Sequence, residues 1–443
     1  MEGGQSDARR PDNFLLARDL LPMPIMKGLL RRSGRTVTLL LAILLCGVNS
    51  PAYSVLTHEE LIDLAWNDSI RPFLLARFPD STEQQLVEAH AYAYGGCAIQ
   101  DMGYYPFGKP FFSNLTHYVR TGDFIAWMLQ NAHNVDELAF AVGALSHYLG
   151  DSIGHSEAIN PSTAVNFPKL KDKFGASVTY GESPHGHIRT EFAFDIDELT
   201  DAAFAPPAYL HFIGFKVPRK YLEQAFAHTY GFDIHEIVGR AHPALRSYGT
   251  SVRSFIPLFA EAEVVLHRHH FPAHPNDEAF REFKERVART NYDRRWKHTY
   301  RGPGFKAHLV AVLVFIVPKI GAASDLAIKI PTPETEEKYL RSVNHTVDAF
   351  HETLQKLQAD GATPVALSNL DLDTGHGSKL EEYPLADQAY SSLLDRLTAR
   401  PKRIVPPGLK QNVLEYFADL GTATNSEERL HEQLAKLKEM KTK

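Results

Sequence analysis

Cysteine is almost absent from this chain of 443 residues, which contains only Cys46 and Cys97. Cys46 lies inside an amino-terminal apolar run, so one cysteine remains if that run is removed. A single cysteine cannot form an intramolecular disulfide, and the chain must depend on its apolar core or on a bound metal for stability. The scarcity also excludes cysteine-rich zinc sites, which leaves histidine and carboxylate side chains as zinc ligands.

An excess of positive charge is also missing, because the formal net charge is -6 at pH 7. Proteins that bind nucleic acid usually carry a basic surface, so this balance argues against a stable nucleic-acid partner. A hydrophobic content of 44% and a charged content of 23% are ordinary for a globular protein. The chain is long enough for one large core or for two domains.

The apolar run at residues 37–48 is shorter than the roughly 20 residues that span a bilayer. Basic side chains such as Lys27 and Arg31 precede it, and small residues near Ala52 follow it. This three-part pattern is typical of a secretory signal peptide. We therefore predict that residues 1–52 are a leader and signal peptide and that the mature protein is exported, either to the periplasm or out of the cell.

Alternating β-branched residues are nearly absent between residues 55 and 270, where apolar residues repeat at helical spacing. This pattern predicts an all-α domain at residues 53–275. After residue 275 the sequence becomes highly charged and then amphipathic, and we predict a mostly helical C-terminal extension of unknown role at residues 276–443. The apolar run AHLVAVLVFIVP at residues 307–318 predicts a buried helix rather than a membrane span.

The stretch HYLGDSIGH, which begins at His147, carries the strongest signal for chemistry. His147, Asp151 and His155 follow one another at intervals of four residues, so that their side chains share one face of a helix. Gly143 and Gly150 flank that face, although glycine costs up to about 1 kcal/mol in a helix interior. Ionisable side chains beside small residues predict room for a metal ion, and a solvated helix face is the alternative.

Further candidate ligands lie on both sides of this helix. HGHIRTEF places His187 and Glu191 four residues apart on one helix face, with His185 as the alternative to His187. Three other candidates are ordinary residues when each is taken alone, namely Asp101, His117 and His58.

In their order and spacing, eight of these residues resemble the metal ligands of the zinc-dependent phospholipase C family. They are His58, Asp101, His117, His147, Asp151, His155, His187 and Glu191. SHYLGDSIGH resembles the central helix of that family, and HIRTE resembles its later pair of histidine and glutamate. The wider superfamily includes the S1/P1-type single-strand nucleases. The resemblance covers roughly residues 55–200 and implies a multi-helix fold of the phospholipase C/P1 nuclease type.

The resemblance also implies a cluster of two or three zinc ions. The implied ligands are Asp101, His117, His147 and Asp151 for one ion, His155, His187 and Glu191 for a second, and His58 with the mature amino terminus for a third. Asp151 would bridge two ions, and Asp101 would also orient or deprotonate the attacking water. His155 follows Asp151 by only four residues, where the family has a longer gap, and no tryptophan lies near the predicted cleavage site. A two-ion site is therefore an alternative to a three-ion site.

The predicted function is that of an exported zinc-dependent phosphodiesterase, a phospholipase C that hydrolyses phospholipid headgroups through a metal-activated water. The loop GYYPFGKPFF beside Asp101 would contact lipid or a choline-like cation through Tyr104, Tyr105 and Phe107. Hydrophobic packing over the helix is the alternative interpretation of this loop. The predicted partners are a phospholipid or other phosphodiester substrate and a membrane surface. The alternative functions are an S1/P1-type single-strand nuclease and a noncatalytic zinc-stabilised binding module.

DLDTGHG, at residues 371–377, contains two aspartates with the spacing of a calcium loop. Such a loop needs glycine at the position where this chain has His376. The segment therefore predicts a turn rather than a calcium site.

Overall fold

The computed structural model describes residues 55–200, 214–267, 278–290, 303–316, 328–359, 366–418 and 425–442. Within these ranges the regular structure is helical, and β-type pairing is confined to two isolated bridges, Leu370 with Gly377 and Val405 with Thr442. The prediction of an all-α fold is confirmed. The predicted signal peptide at residues 1–52 lies outside the described residues, so export stays a prediction.

Helices follow one another closely along both halves of the chain. Before residue 201 the α-helices are α1 (Val55–Ala65), α2 (Arg71–Arg77), α3 (Glu83–Gly96), α4 (Pro110–Tyr118), α5 (Thr121–Asn131), α6 (Val135–Gly154), α7 (Asn160–Asn166), α8 (Pro168–Phe174) and α9 (Pro184–Thr200). After residue 213 they are α10 (Arg219–Tyr230), α11 (Ile234–Val238), α12 (Ala241–Thr250), α13 (Ile256–His267), α14 (Glu278–Arg289), α15 (Phe305–Ile316), α16 (Pro333–Ala359), α17 (Pro384–Thr398), α18 (Pro407–Tyr416) and α19 (Asn425–Glu439). Shorter segments of different pitch are the 3-10 turn Ile99–Tyr104 and the π-helical turns Trp66–Ile70, His155–Ile159 and Ser251–Phe255.

Helix α6 is the element around which the predicted ligands gather. The Asn134 side chain caps its start by accepting a hydrogen bond from the Glu137 backbone N–H. Asp136 and Glu137 place negative charge at the positive end of the helix dipole. After Gly154 the chain continues without a break into the π-helical turn His155–Ile159. Such turns recur at functional sites, because the wider turn redirects the side chains that follow it.

Glycines let the backbones of α3 and α6 approach each other closely. A Cβ atom added to Gly143 would lie 2.1 Å from the Ala93 carbonyl oxygen, and one added to Gly96 would lie 2.1 Å from the Phe140 carbonyl oxygen. From the sequence alone, Gly143 is predicted to leave space beside a metal ion. The structure shows instead that Gly143 makes space for a neighbouring helix.

The substitution Gly143→Ala should therefore destabilise the fold by about 1–3 kcal/mol, because overpacked backbones must separate. Chemical denaturation of the two proteins would measure the difference. Gly249→Ala is the matched control, because its Cβ would meet Phe215 at an ordinary 3.6 Å. Alanine there should be neutral or stabilising by up to about 1 kcal/mol through helix propensity. Equal stability of Gly143→Ala and the wild type would contradict the close approach of α3 and α6.

The main apolar core extends across the predicted boundary at residue 275. Its buried side chains include Leu138 of α6 together with Phe350 of α16, Leu393 of α17 and Leu437 of α19. Helix α16 packs against α1 and α6. The two predicted parts of the chain therefore share a core, and the boundary itself stays a prediction.

The apolar run at residues 307–318 forms most of α15, as the sequence predicts. Val310 and Val314 are buried in a cluster with Phe259 of α13. Within the described ranges, no helix combines the length and the hydropathy needed to cross a membrane.

Candidate metal centre

All eight ligands predicted from the sequence lie in three neighbouring groups of buried side chains, of which the first two share His147. The groups are His58 with His147 and Asp151, Asp101 with His117 and His147, and His155 with His187 and Glu191. In each group, one potential ligand atom from every residue lies within 4.8 Å of the others. Each of the eight side chains belongs to a residue that is at most 3% exposed. His185, the alternative to His187, is exposed and belongs to none of the groups.

Six elements bring these side chains together. The central helix α6 supplies His147 and Asp151, and the π-helical turn that continues it supplies His155. The others come from α1 with His58, the turn Ile99–Tyr104 with Asp101, α4 with His117, and α9 with His187 and Glu191. Gly150 makes room for α1, because a Cβ atom there would lie 3.3 Å from the His58 ring.

Asp151 lies at the middle of the centre, and its two carboxylate oxygens face different histidines. Oδ2 lies 3.0 Å from Nε2 of His147 and 3.4 Å from Nε2 of His117. Oδ1 lies 3.2 Å from Nε2 of His58 and 3.8 Å from Nε2 of His155. A carboxylate in this position can bind two cations at once, one through each oxygen.

His155 connects the first groups to the third. Its Nε2 atom lies 3.3 Å from Oε1 of Glu191, and that oxygen lies 2.8 Å from Nε2 of His187. The short interval between Asp151 and His155 therefore does not separate His155 from Glu191. It places the third group beside Asp151, so the three groups form one continuous centre.

Backbone carbonyl groups fix the orientation of three of the histidine rings through their Nδ1 atoms. The pairs are His147 with Cys97 at 2.9 Å, His117 with Ser113 at 2.8 Å, and His155 with Leu372 at 3.1 Å. A carbonyl oxygen can only accept, so each Nδ1–H donates and Nε2 faces the carboxylates. Metal-binding histidines are commonly oriented in this way.

The electrostatics of the centre favour positive charge. Burial alone would raise the pKa of Asp151, but the neighbouring His147, His155 and His117 hold it well below its usual value. Burial likewise tends to lower the pKa of His117, yet the nearby carboxylates of Asp101 and Asp151 raise it to about 10. Burial is the main reason that the pKa of Asp101 is raised, against the opposing effect of His147 and His117.

The buried carboxylates also lack aligned hydrogen-bond donors. None of the four oxygens of Asp101 and Asp151 accepts a well-aligned hydrogen bond within the described part of the chain. Buried charges are normally paired or bound to a metal, and imidazole nitrogen and carboxylate oxygen are the donors that zinc prefers. The residues present therefore fit zinc.

Sequence reasoning missed two residues that the turn at residues 371–377 brings to the centre, Leu372 and Asp373. The turn itself is confirmed, because Oδ1 of Asp371 accepts hydrogen bonds from the backbone N–H groups of Asp373 at 2.9 Å and Thr374 at 3.3 Å. Leu372 accepts from His155, and Oδ1 of Asp373 lies 3.5 Å from Nδ1 of His155. Local pattern gave no sign that a turn so distant in sequence lies beside His155.

The three predicted substrate-binding residues lie in different environments. The Tyr104 ring lies 6.0 Å from the His117 ring, between centroids. Tyr105 is 2% exposed and packs edge-on against Tyr248, as the alternative interpretation of hydrophobic packing describes. Phe107 is 73% exposed and has a φ of 66°, which is rare for a residue other than glycine. Contact of these residues with substrate stays a prediction.

Asp371 should make stability depend on pH. Burial and the charge of Asp373 raise the pKa of Asp371 to about 8, whereas an unfolded aspartate has a pKa of about 3.9. The folded chain therefore keeps a proton that the unfolded chain loses, and this contribution to stability is lost as the pH rises from about 4 to about 8. Asp371→Asn keeps the oxygen that accepts from Asp373 and Thr374 and cannot ionise. Its free energy of unfolding should exceed that of the wild type by at least about 1 kcal/mol at pH 8, since one pKa unit is worth about 1.4 kcal/mol.

Chemical denaturation at several pH values would measure this difference, which should shrink towards pH 5. The exposed Asp172, on α8, offers the control Asp172→Asn, for which no such trend is expected. A stability difference between Asp371→Asn and the wild type that does not change with pH would contradict the assignment.

A family model described as zinc dependent phospholipase C matches residues 57–232. The matched segment contains all eight predicted ligands and ends well before Leu372 and Asp373. No curated protein and no solved structure matches the chain.

Proposed function

Since residues 57–232 belong to the zinc-dependent phospholipase C family, we propose that this chain is a phosphodiesterase that hydrolyses phospholipid headgroups. The observation that carries the proposal is the centre built around Asp151, where three groups of potential zinc ligands lie next to one another inside the matched segment. The first two groups share His147, and the third adjoins Asp151 through His155, which supports two or three ions rather than one.

The proposed reaction is the attack of water on the phosphorus atom of the substrate. The bond from phosphorus to the glycerol oxygen breaks, and the products are diacylglycerol and a phosphorylated alcohol. Zinc at this centre would supply Lewis-acid stabilisation of the negative charge on the phosphate oxygens. Asp101 is the proposed proton acceptor, because burial raises the pKa of this carboxyl group and makes it a stronger base than an exposed aspartate.

Two partly exposed tyrosines support access of a substrate to the centre. The Tyr104 ring lies 6.0 Å from that of His117, and the Tyr180 ring lies 5.7 Å from that of His187, between centroids. Aromatic faces attract quaternary ammonium groups, so both residues suit a choline-type headgroup. The exposed Phe107 suits contact with the surface of a phospholipid membrane. The amino-terminal signal pattern supports export as part of the same proposal.

The proposal is tested by zinc analysis of the purified chain together with assays on three substrates: phosphatidylcholine vesicles, a chromogenic phosphodiester and single-stranded DNA. We expect two or three zinc ions per chain and the release of phosphocholine and diacylglycerol. Faster hydrolysis of DNA than of phospholipid would identify a nuclease instead. Bound zinc without hydrolysis of any substrate would identify a noncatalytic binding module. His187→Ala should lose hydrolysis, whereas the control His185→Ala should retain it, because His185 is exposed outside the groups.

A further inference from the structure

A loop from the C-terminal region reaches the candidate metal centre and contacts three of the elements that carry its ligands. The Leu372 backbone N–H donates to the His117 carbonyl oxygen at 3.0 Å. The Leu372 carbonyl oxygen accepts the hydrogen bond from Nδ1 of His155 at 3.1 Å. One residue thus joins α4 to the π-helical turn His155–Ile159. Leu372 lies outside the matched segment, which ends at residue 232.

Asp373 is buried beside the same ring. Its Oδ1 atom lies 3.5 Å from Nδ1 of His155. Its other oxygen, Oδ2, accepts hydrogen bonds from the Tyr118 hydroxyl at 2.8 Å and the Tyr383 hydroxyl at 2.5 Å. The two hydroxyls hold the carboxylate so that its remaining oxygen points towards His155. Within the described ranges, that oxygen accepts no well-aligned hydrogen bond.

Contacts with helices α6 and α7 fix the loop in place. The Asn160 side-chain amide donates to the Asp373 carbonyl oxygen at 2.8 Å. Gly375 has a φ of 74°, and a Cβ atom there would lie 2.4 Å from the Ser152 carbonyl oxygen. Ser152 lies between Asp151 and His155, so the loop contacts the helix at the ligands themselves.

We propose that Asp373, together with the Leu372 carbonyl group, is a positioning residue for His155. The C-terminal region thereby completes a zinc centre whose ligands all lie in the matched segment, residues 57–232. A carboxylate beside Nδ1 fixes the ring and makes Nε2 a better electron donor to a metal, and loss of such a partner typically weakens metal affinity by about 10–100-fold. The inference rests on the proposed function only in taking zinc as the metal.

The test compares Asp373→Asn with the wild type in the full chain. The asparagine oxygen can still accept from Tyr118 and Tyr383, but its NH2 group then faces the Nδ1–H group of His155. Zinc dissociation constants, measured by competition with a chelator, should show one site weakened by about 10–100-fold. The absorption spectrum of the cobalt-substituted protein should change as well, because it reports the coordination of the metal. The melting temperature of the metal-free protein serves as the measure of general damage.

Asp387 provides the matched control in the same C-terminal region. It accepts a hydrogen bond from the Tyr416 hydroxyl at 2.6 Å, as Asp373 does from its two tyrosines, but no histidine hydrogen bond to it is found in the described structure. Asp387→Asn should leave zinc affinity and the cobalt spectrum unchanged. Should Asp373→Asn fail to fold, Tyr383→Phe replaces it, with Tyr416→Phe as its control. Tyr383→Phe should weaken one zinc site by a smaller factor than Asp373→Asn.

Weakened zinc binding in Asp373→Asn alone, at unchanged melting temperature without metal, supports the inference. Where the wild type binds zinc and hydrolyses substrate, an unchanged zinc affinity and cobalt spectrum in Asp373→Asn overturn the inference. An equal loss of zinc affinity in the Asp387→Asn control overturns it as well. A wild-type chain that binds no zinc overturns the inference and the proposed function together. A wild type that binds zinc but hydrolyses nothing overturns only the proposed function.

Discussion

Asp151→Ala is expected to remove zinc from the centre and to lower the rate of phosphodiester hydrolysis by about 1,000-fold or more. The two oxygens of Asp151 face His147 and His117 on one side and His58 and His155 on the other. The substitution therefore removes a carboxylate that faces histidines of all three groups. A 1,000-fold loss corresponds to about 4 kcal/mol, a size that metal stabilisation of a phosphate supplies.

The measurements for Asp151→Ala are kcat/KM, zinc per chain and the melting temperature with and without added zinc. The zinc-dependent rise in melting temperature should disappear, because metal binding energy contributes to folding energy. Asp172→Ala, at an exposed position of α8, should behave as the wild type does. An Asp151→Ala protein with full zinc content and full activity would refute the proposed centre.

Chelation of the wild-type chain is expected to abolish hydrolysis and to lower its thermal stability, and added zinc should restore both. A ligand at 1,000 times its dissociation constant stabilises the folded state by about 4 kcal/mol. Calorimetry before and after removal of zinc measures this contribution, and activity is followed in the same samples.

Calcium and magnesium are the matched controls for the zinc added back after chelation. Both prefer oxygen ligands, whereas five of the eight side chains in the centre are histidines, so neither should restore activity. Chelation that leaves hydrolysis and melting temperature unchanged would show that the buried histidines and carboxylates stabilise the fold without metal.

Five of the eight ligands could be predicted from the residues alone, because they repeat at the spacing of a helix. His147, Asp151 and His155 repeat every four residues, and so do His187 and Glu191, so shared helix faces place their side chains together. Asp101, His117 and His58 carry no such local pattern. They entered the prediction only through the resemblance to the family, and the structure places them in the same groups.

Other features could not be predicted because they depend on which distant segments pack together. The sequence predicts that Gly143 borders a metal site, whereas the structure shows that the residue must be glycine because the Ala93 carbonyl group of another helix lies against it. The turn that contains Asp371 could be predicted from its own residues, whereas its position against His155 could not. Tyr105 belongs to an aromatic loop whose composition fits ligand binding and hydrophobic packing equally well. Only the structure, which buries Tyr105 against Tyr248, identifies its role as packing.

The hydrogen bond between His155 and the Leu372 carbonyl group joins positions 217 residues apart in the chain. Contacts over such a separation form late, because the entropy of closing a long loop must be overcome before they stabilise anything. During synthesis the helices that carry the ligands emerge long before the turn that orients His155. We therefore expect the centre to be among the last features to form, and we expect a chain cut before Leu372 to lack the residues that orient His155.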